Sequence, residues 1–133
     1  MLQVSESANF FVNAETDNGY QHTAGLVILS ADESPDFCFG KLKAFVEERL
    51  RHVPQFRWKL REVPFGLDMP YWVEDERYSI DRHIHRVAVP APGDMKALTE
   101  LAAFLYSRRL DRAKPLWEIW FIEGLQGNRF AML

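Results

Sequence analysis

The first regular pattern of apolar and polar positions is QHTAGLVILS, Gln21 to Ser30, a short run rich in β-branched residues that predicts an interior strand. A helix is expected next. Ser34 is placed to cap it, Pro35 suits its first turn and Asp36 complements its positive end. Leu42, Phe45, Val46, Arg49, Leu50 and Val53 share one face by three-four spacing, and Pro54 ends the helix. QFRWKLRE then alternates as a half-exposed strand, with Phe56, Trp58 and Leu60 on one side and Arg57, Lys59 and Arg61 on the other. VPFGLDMP reads as a loop broken by Pro64, Gly66 and Pro70. YWVEDERYSI and HIHRVAV predict further strands, the second closed by a PAPG turn at Pro90 to Gly93. Asp94 caps a second helix that carries Leu98, Leu101, Ala102 and Leu105 on one face. LWEIWFIEGL, the tight turn QGN and RFAML complete the chain as an antiparallel hairpin. The order β-α-β-β-β-α-β-β predicts an α+β protein built as a mixed α/β sandwich.

Composition narrows the class. Of the 133 residues, 47% are hydrophobic and 14% aromatic, with four Trp and ten Phe, which predicts a packed core rather than disorder. A net charge of -3 gives no electrostatic reason to expect nucleic acid. One cysteine, Cys38, makes no internal disulfide and calls for no oxidising compartment. MLQVSESANFF lacks the build of a signal peptide, and no apolar run reaches membrane-span length, so a cytoplasmic location is expected, with peripheral membrane contact left open.

Local chemistry is sparse. His83 and His85 would share a strand face as a metal pair does, but zinc needs more ligands and neither a Cys cluster nor HExxH supplies them. A hydrogen-bonding role is the expectation, and no metal is called. The basic stripe Arg57, Lys59 and Arg61, with Arg49 and Arg51 nearby, suits phosphates or an anionic membrane, but a solvated strand face is the favoured reading because the total charge is negative. Cys38 has no His partner in sequence and is expected to be buried and structural. Tyr71–Trp72 and Trp117–Trp120 suit an acyl pocket or, more plainly, core packing.

From Val53 onward the sequence resembles the bacterial wax ester synthase/acyl-CoA:diacylglycerol acyltransferase family. VPQFRWKL, GLDMPYWVED, HIHRVAVPAPGD and SRRLDRAKPLWEIWFIEGLQGNRFAML carry the resemblance, the last with the family's PLW signature at Pro115, Leu116 and Trp117. The opening ANFFVNAET and HTAGLVIL look like a diverged form of the family's start, and Ser79 stands where the family usually has an aspartate.

The resemblance implies a chloramphenicol-acetyltransferase-like fold, with residues 1–133 as the N-terminal part of a CoA-dependent acyltransferase domain. It implies transfer of a fatty acyl group from acyl-CoA, as substrate and with no further cofactor, to a long-chain alcohol or diacylglycerol. The family's HHxxxDG motif, whose second histidine serves as general base, would lie beyond Leu133, so no catalytic residue is assigned within the chain. Pro115, Leu116 and Trp117 are the candidate site residues, read as mainly architectural. Expected partners are the two substrates, the remainder of the same polypeptide and a membrane or lipid-droplet surface. The terminal hairpin, open on an apolar half-strand, disfavours a stand-alone lipid- or partner-binding module. A carrier-protein-dependent condensation domain of the same fold is the other alternative.

Overall fold

The computed structural model describes residues 1–133, which divide into two compact units, each assembled from separate stretches of chain. One comprises Met1–Thr23, Val53–Tyr78 and Arg109–Trp117; the other comprises Ala24–His52, Ser79–Arg108 and Glu118–Leu133.

The second unit is a three-layer sandwich. Its strands are β2 (Val27–Ser30), β5 (Ile84–Ala88), β6 (Ile119–Leu125) and β7 (Arg129–Met132), in the order β2-β7-β6-β5. β5 and β6 run parallel, with Ile84 opposite Ile119, and the connection between them is the helix α3 (Met95–Tyr106). β7 lies antiparallel to both β6 and β2, with Ala131 opposite Ile122 and Ile28. Side chains alternate along these strands, so neighbouring residues enter different layers. Ile122, Ala131 and Ile28 join Leu98 and Leu105 of α3. Phe121, Phe130 and Leu29 join Leu42 and Val46 of the helix α2 (Phe39–Leu50). Each face of the sheet is therefore covered by a helix, which explains why β6 is apolar on both sides.

Asp94 caps α3 by accepting from the Ala97 amide at 2.8 Å. Just ahead of it, Gly93 has φ +73, and a Cβ there would lie 1.9 Å from the Gly124 carbonyl oxygen. Only glycine lets this turn pass so close to β6.

The first unit holds β1 (Leu2–Gln3), the helix α1 (Glu6–Ala14), β3 (Trp58–Arg61) and β4 (Tyr71–Glu74). The strands form an antiparallel sheet in the order β1-β4-β3. Ser5 caps α1, accepting from the Ala8 amide, and Glu6 sits in the first turn where the helix dipole favours an anion.

The α+β sandwich expectation holds, and several boundaries move. β1 and α1 were not expected, although Ser5 followed by Glu6 is a legible helix start. The strand expected over Gln21 to Ser30 is confined to Val27–Ser30, because only there does β7 supply a hydrogen-bonding partner. Ser34, Pro35 and Asp36 lie in a turn in which the Phe37 amide donates to the Ser34 carbonyl at 2.9 Å, and the cap of α2 is Cys38. The turn sets Phe37 against Phe130, with ring centroids 5.1 Å apart, and that packing outweighs the local cap signal. Cys38 is exposed, not buried as expected. Pro54–Arg57 forms a 3-10 turn, so β3 begins only at Trp58. The strand expected over LWEIWFIEGL begins only at Ile119, and Pro115 ahead of it is buried.

Candidate functional site

The PLW residues stand at an apolar groove inside the first unit. The cross-strand register puts Leu2 opposite Trp72, and Trp72 opposite Leu60. Facing partners share a side of the sheet, and Trp58 lies on that side two residues from Leu60. Leu60 is buried, while Leu2, Trp58 and Trp72 line the groove. The 3-10 turn before β3 adds Gln55 and Phe56, and the segment before β6 adds Leu116 and Trp117. The cavity measures about 380 Å³ and is walled mostly by aromatic and aliphatic carbon. That is within the range of roughly 300–1,000 Å³ usual for small-molecule sites.

Trp117 both builds and lines this groove. Its indole Nε1–H donates to the Phe56 carbonyl at 2.8 Å, and the two rings meet edge to face at 5.8 Å. The Trp117 amide donates to the Pro115 carbonyl at 2.9 Å, a tight turn that projects Leu116 and Trp117 from the buried proline. Thus Pro115 anchors, and Leu116 and Trp117 supply wall. Of the expected Trp-rich segments, Trp72 and Trp117 reach the groove. Tyr71 instead donates its hydroxyl to Asp68 at 2.8 Å, and Trp120 packs on the core of the second unit and stacks with His85 at 4.5 Å. Sequence reasoning missed Leu2, Gln55, Phe56 and Trp58 as lining residues. The aromatic clustering in QFRW was the available signal, but it was absorbed into a strand reading.

A charged clamp sits in the same unit. Arg112, three residues before Pro115, donates to Glu15 Oε2 at 2.7 Å, to the Val12 carbonyl at 2.6 Å and to Glu62 Oε1 at 3.0 Å. Arg109 adds a second cation 3.4 Å from Glu15. The clamp joins the end of α1, the residue after β3 and the lead-in to PLW. Burial works to raise the Glu15 carboxyl, but Arg112 and then Arg109 outweigh it, and its pKa lies below the ordinary value. The expected basic stripe is divided in the same way. Lys59 bonds the buried Asp75 at 2.9 Å, Arg57 lies 3.8 Å from Glu74, and the exposed Arg61 side chain makes neither hydrogen bond nor ion pair.

His83 and His85 do not form a shared face. His83 is buried ahead of β5 with ψ -26, which breaks the strand alternation, while its carbonyl accepts from the Ile119 amide at 2.8 Å. No group of three His, Cys, Asp or Glu side chains gathers in a metal-binding arrangement. The groove itself carries no titratable side chain. Its lining is chemically suited to an apolar chain, with Gln55 as the polar side chain.

Residues 4–133 match the family described as the wax ester synthase/diacylglycerol acyltransferase catalytic domain. The chain belongs to this family. A Mycobacterium tuberculosis protein named as a diacylglycerol O-acyltransferase is 38% identical over 117 residues, which is 87% of this chain and 25% of that protein. The fold superimposes on a wax ester synthase/diacylglycerol acyltransferase from Marinobacter aquaeolei VT8 with a TM-score of 0.84 and 28% identity, covering 99% of this chain and 32% of that one. A structure described for condensation domain-mediated chain release from the enacyloxin polyketide synthase shares the fold alone. Its TM-score is 0.51 at 10% identity, over 81% of this chain and 20% of that one. The chain spans about a quarter of the length of the first curated relatives it matches.

Proposed function

We propose that this chain is the N-terminal part of an O-acyltransferase that moves a fatty acyl group from acyl-CoA to a long-chain alcohol or diacylglycerol. Family membership over residues 4–133 supports the reaction class, and the observation that carries the chain's own share is the groove at Leu116 and Trp117. An alcohol hydroxyl is a weak nucleophile at neutral pH, so the reaction needs a positioned base to take its proton as the oxygen attacks the thioester carbonyl. The family's paired-histidine motif supplies that base C-terminal to these residues. No two of the four histidines here, His22, His52, His83 and His85, are adjacent. Residues 1–133 contribute a dry wall for an apolar chain, with acyl-CoA bound as substrate and no further cofactor. Both the acceptor and the product dissolve in lipid, so the intact protein works in peripheral contact with a membrane or lipid droplet. No helix of the chain is long and apolar enough to cross a membrane.

The test uses the full-length polypeptide with acyl-CoA and hexadecanol or diacylglycerol. Wild type transfers the acyl group. Trp117→Ala lowers kcat/KM by about tenfold, equivalent to about 1.4 kcal/mol of lost contact with the apolar chain. Trp117→Phe, which keeps ring area, recovers part of the loss. Absence of any transfer by wild type overturns the reading. Activity that needs an acylated carrier protein in place of acyl-CoA would assign the chain to condensation chemistry.

A further inference from the structure

The β3–β4 hairpin of the first unit ends in a tip that packs against nothing. Phe65 is 97% exposed and Leu67 is 81% exposed, with Gly66 between them. Phe65 has φ +61 and Gly66 φ +64, so two successive residues hold the left-handed region. A bulky aromatic residue rarely adopts that conformation, and here no packing of its ring repays the strain.

The base of the loop is pinned. The Gly66 amide donates to the Val63 carbonyl at 3.1 Å, and Asp68 accepts from Tyr71, from Gln3 and from the Met69 amide. Those bonds, the Tyr71 hydroxyl foremost, hold the Asp68 carboxyl below its ordinary pKa and occupy it within the fold. Glu62 is likewise taken up by Arg112 at 3.0 Å. Arg61, on the strand leading into the loop, is an exposed cation with no acidic partner. The tip thus presents an aromatic and an aliphatic side chain; Arg112 offsets Glu62, Asp68 stays ionised under neutral donors at the loop base, and Arg61 is the unpaired cation on the strand behind.

We propose that Phe65 and Leu67 form an insertion tip that enters the surface of a lipid bilayer or monolayer, with Arg61 meeting the headgroup phosphates. A shallow apolar insertion backed by one cation matches the interfacial layer, where apolar groups bury to a depth of about 5–10 Å and basic residues remain at headgroup level. The inference rests on the acyltransferase reading, because lipid-dissolved substrates give the tip its use.

The experiment places an environment-sensitive nitrobenzoxadiazole dye at Leu67→Cys in the full-length protein, with Cys38→Ser removing the exposed thiol. Phosphatidylcholine vesicles, with and without phosphatidylglycerol, are then added. Insertion gives a blue shift, a severalfold rise in emission and quenching by bromolipids. Phe65→Ser combined with Leu67→Ser weakens vesicle co-sedimentation by about tenfold or more, while circular dichroism and turnover of detergent-dispersed substrate stay unchanged. Arg61→Gln weakens binding only to vesicles that contain phosphatidylglycerol. Green emission unaffected by vesicles overturns the proposal. So does emission already blue in their absence, which would mean that polypeptide covers the tip. The dye reads insertion whether or not acyl transfer occurs, so failure of the tip and failure of the proposed reaction are separable.

Discussion

The two units solve the problem of cohesion differently. Both buried apolar clusters, one around Leu98 and Ile122 and the other around Leu42, Phe121 and Phe130, belong wholly to the sandwich unit. The groove unit has a three-stranded sheet, scattered buried residues such as Val4, Leu60 and Pro115, and a set of charged contacts through Arg112, Glu15, Arg109 and Lys59. A unit that spends its aromatic residues lining a cavity has fewer to bury, and directional polar contacts must hold the walls instead. The sandwich is built around two packed helix-sheet layers; the other unit is built around an open apolar groove.

Three changes would sharpen or break this contrast. The largest effect is expected from Leu98→Ala, since Leu98 is completely buried in the α3 layer. It should cost about 2–5 kcal/mol in a urea melt and melt the sandwich unit. A loss under about 1 kcal/mol would mean that the packing of α3 on the sheet is not what holds this unit together.

Next is Arg112→Ala, which leaves the poorly exposed Glu15 with only Arg109 nearby. A partly buried carboxylate that loses its main partner is expected to cost about 1–3 kcal/mol, discounted for the solvent that still reaches the pair. Hydrogen exchange should show α1 deprotected while β6 and β7 keep their protection. Uniform deprotection would show that the two units do not differ in what holds them.

The smallest effect is a pH dependence. Because the folded Glu15 carboxyl titrates below its ordinary 4.5, its contribution is fully present above that pH and is lost as pH falls through the folded value. Acid should therefore loosen the groove unit before the sandwich unit, read by exchange at α1 against β7. Glu15→Gln should remove that difference in slope while leaving stability near neutral pH lowered by roughly 1 kcal/mol. An unchanged slope would assign the acid sensitivity to other carboxylates.

Much of the sandwich was legible in the chain. The α3 face, its Asp94 cap and the closing hairpin follow from three-four spacing, side-chain capping chemistry and a Gly-Asn turn, all of them local. The PLW residues were legible too, through resemblance. The groove was not, because Leu2, Phe56, Trp72 and Trp117 come from four separated stretches whose proximity no local rule encodes. The pairing of Arg112 with Glu15, ninety-seven positions apart, was equally invisible.

By itself the sequence determined the periodicities, the helix start at Asp94 and the family, because these depend on neighbours along the chain or on recurring wording. Only the tertiary structure decided that α2 starts at Cys38, that Phe65 stands in solvent and that Trp117 serves as wall as well as scaffold. Each of those outcomes turns on which distant surfaces meet. Burial and hydrogen-bond satisfaction are properties of the assembled chain, and they overrule local preference when the two compete.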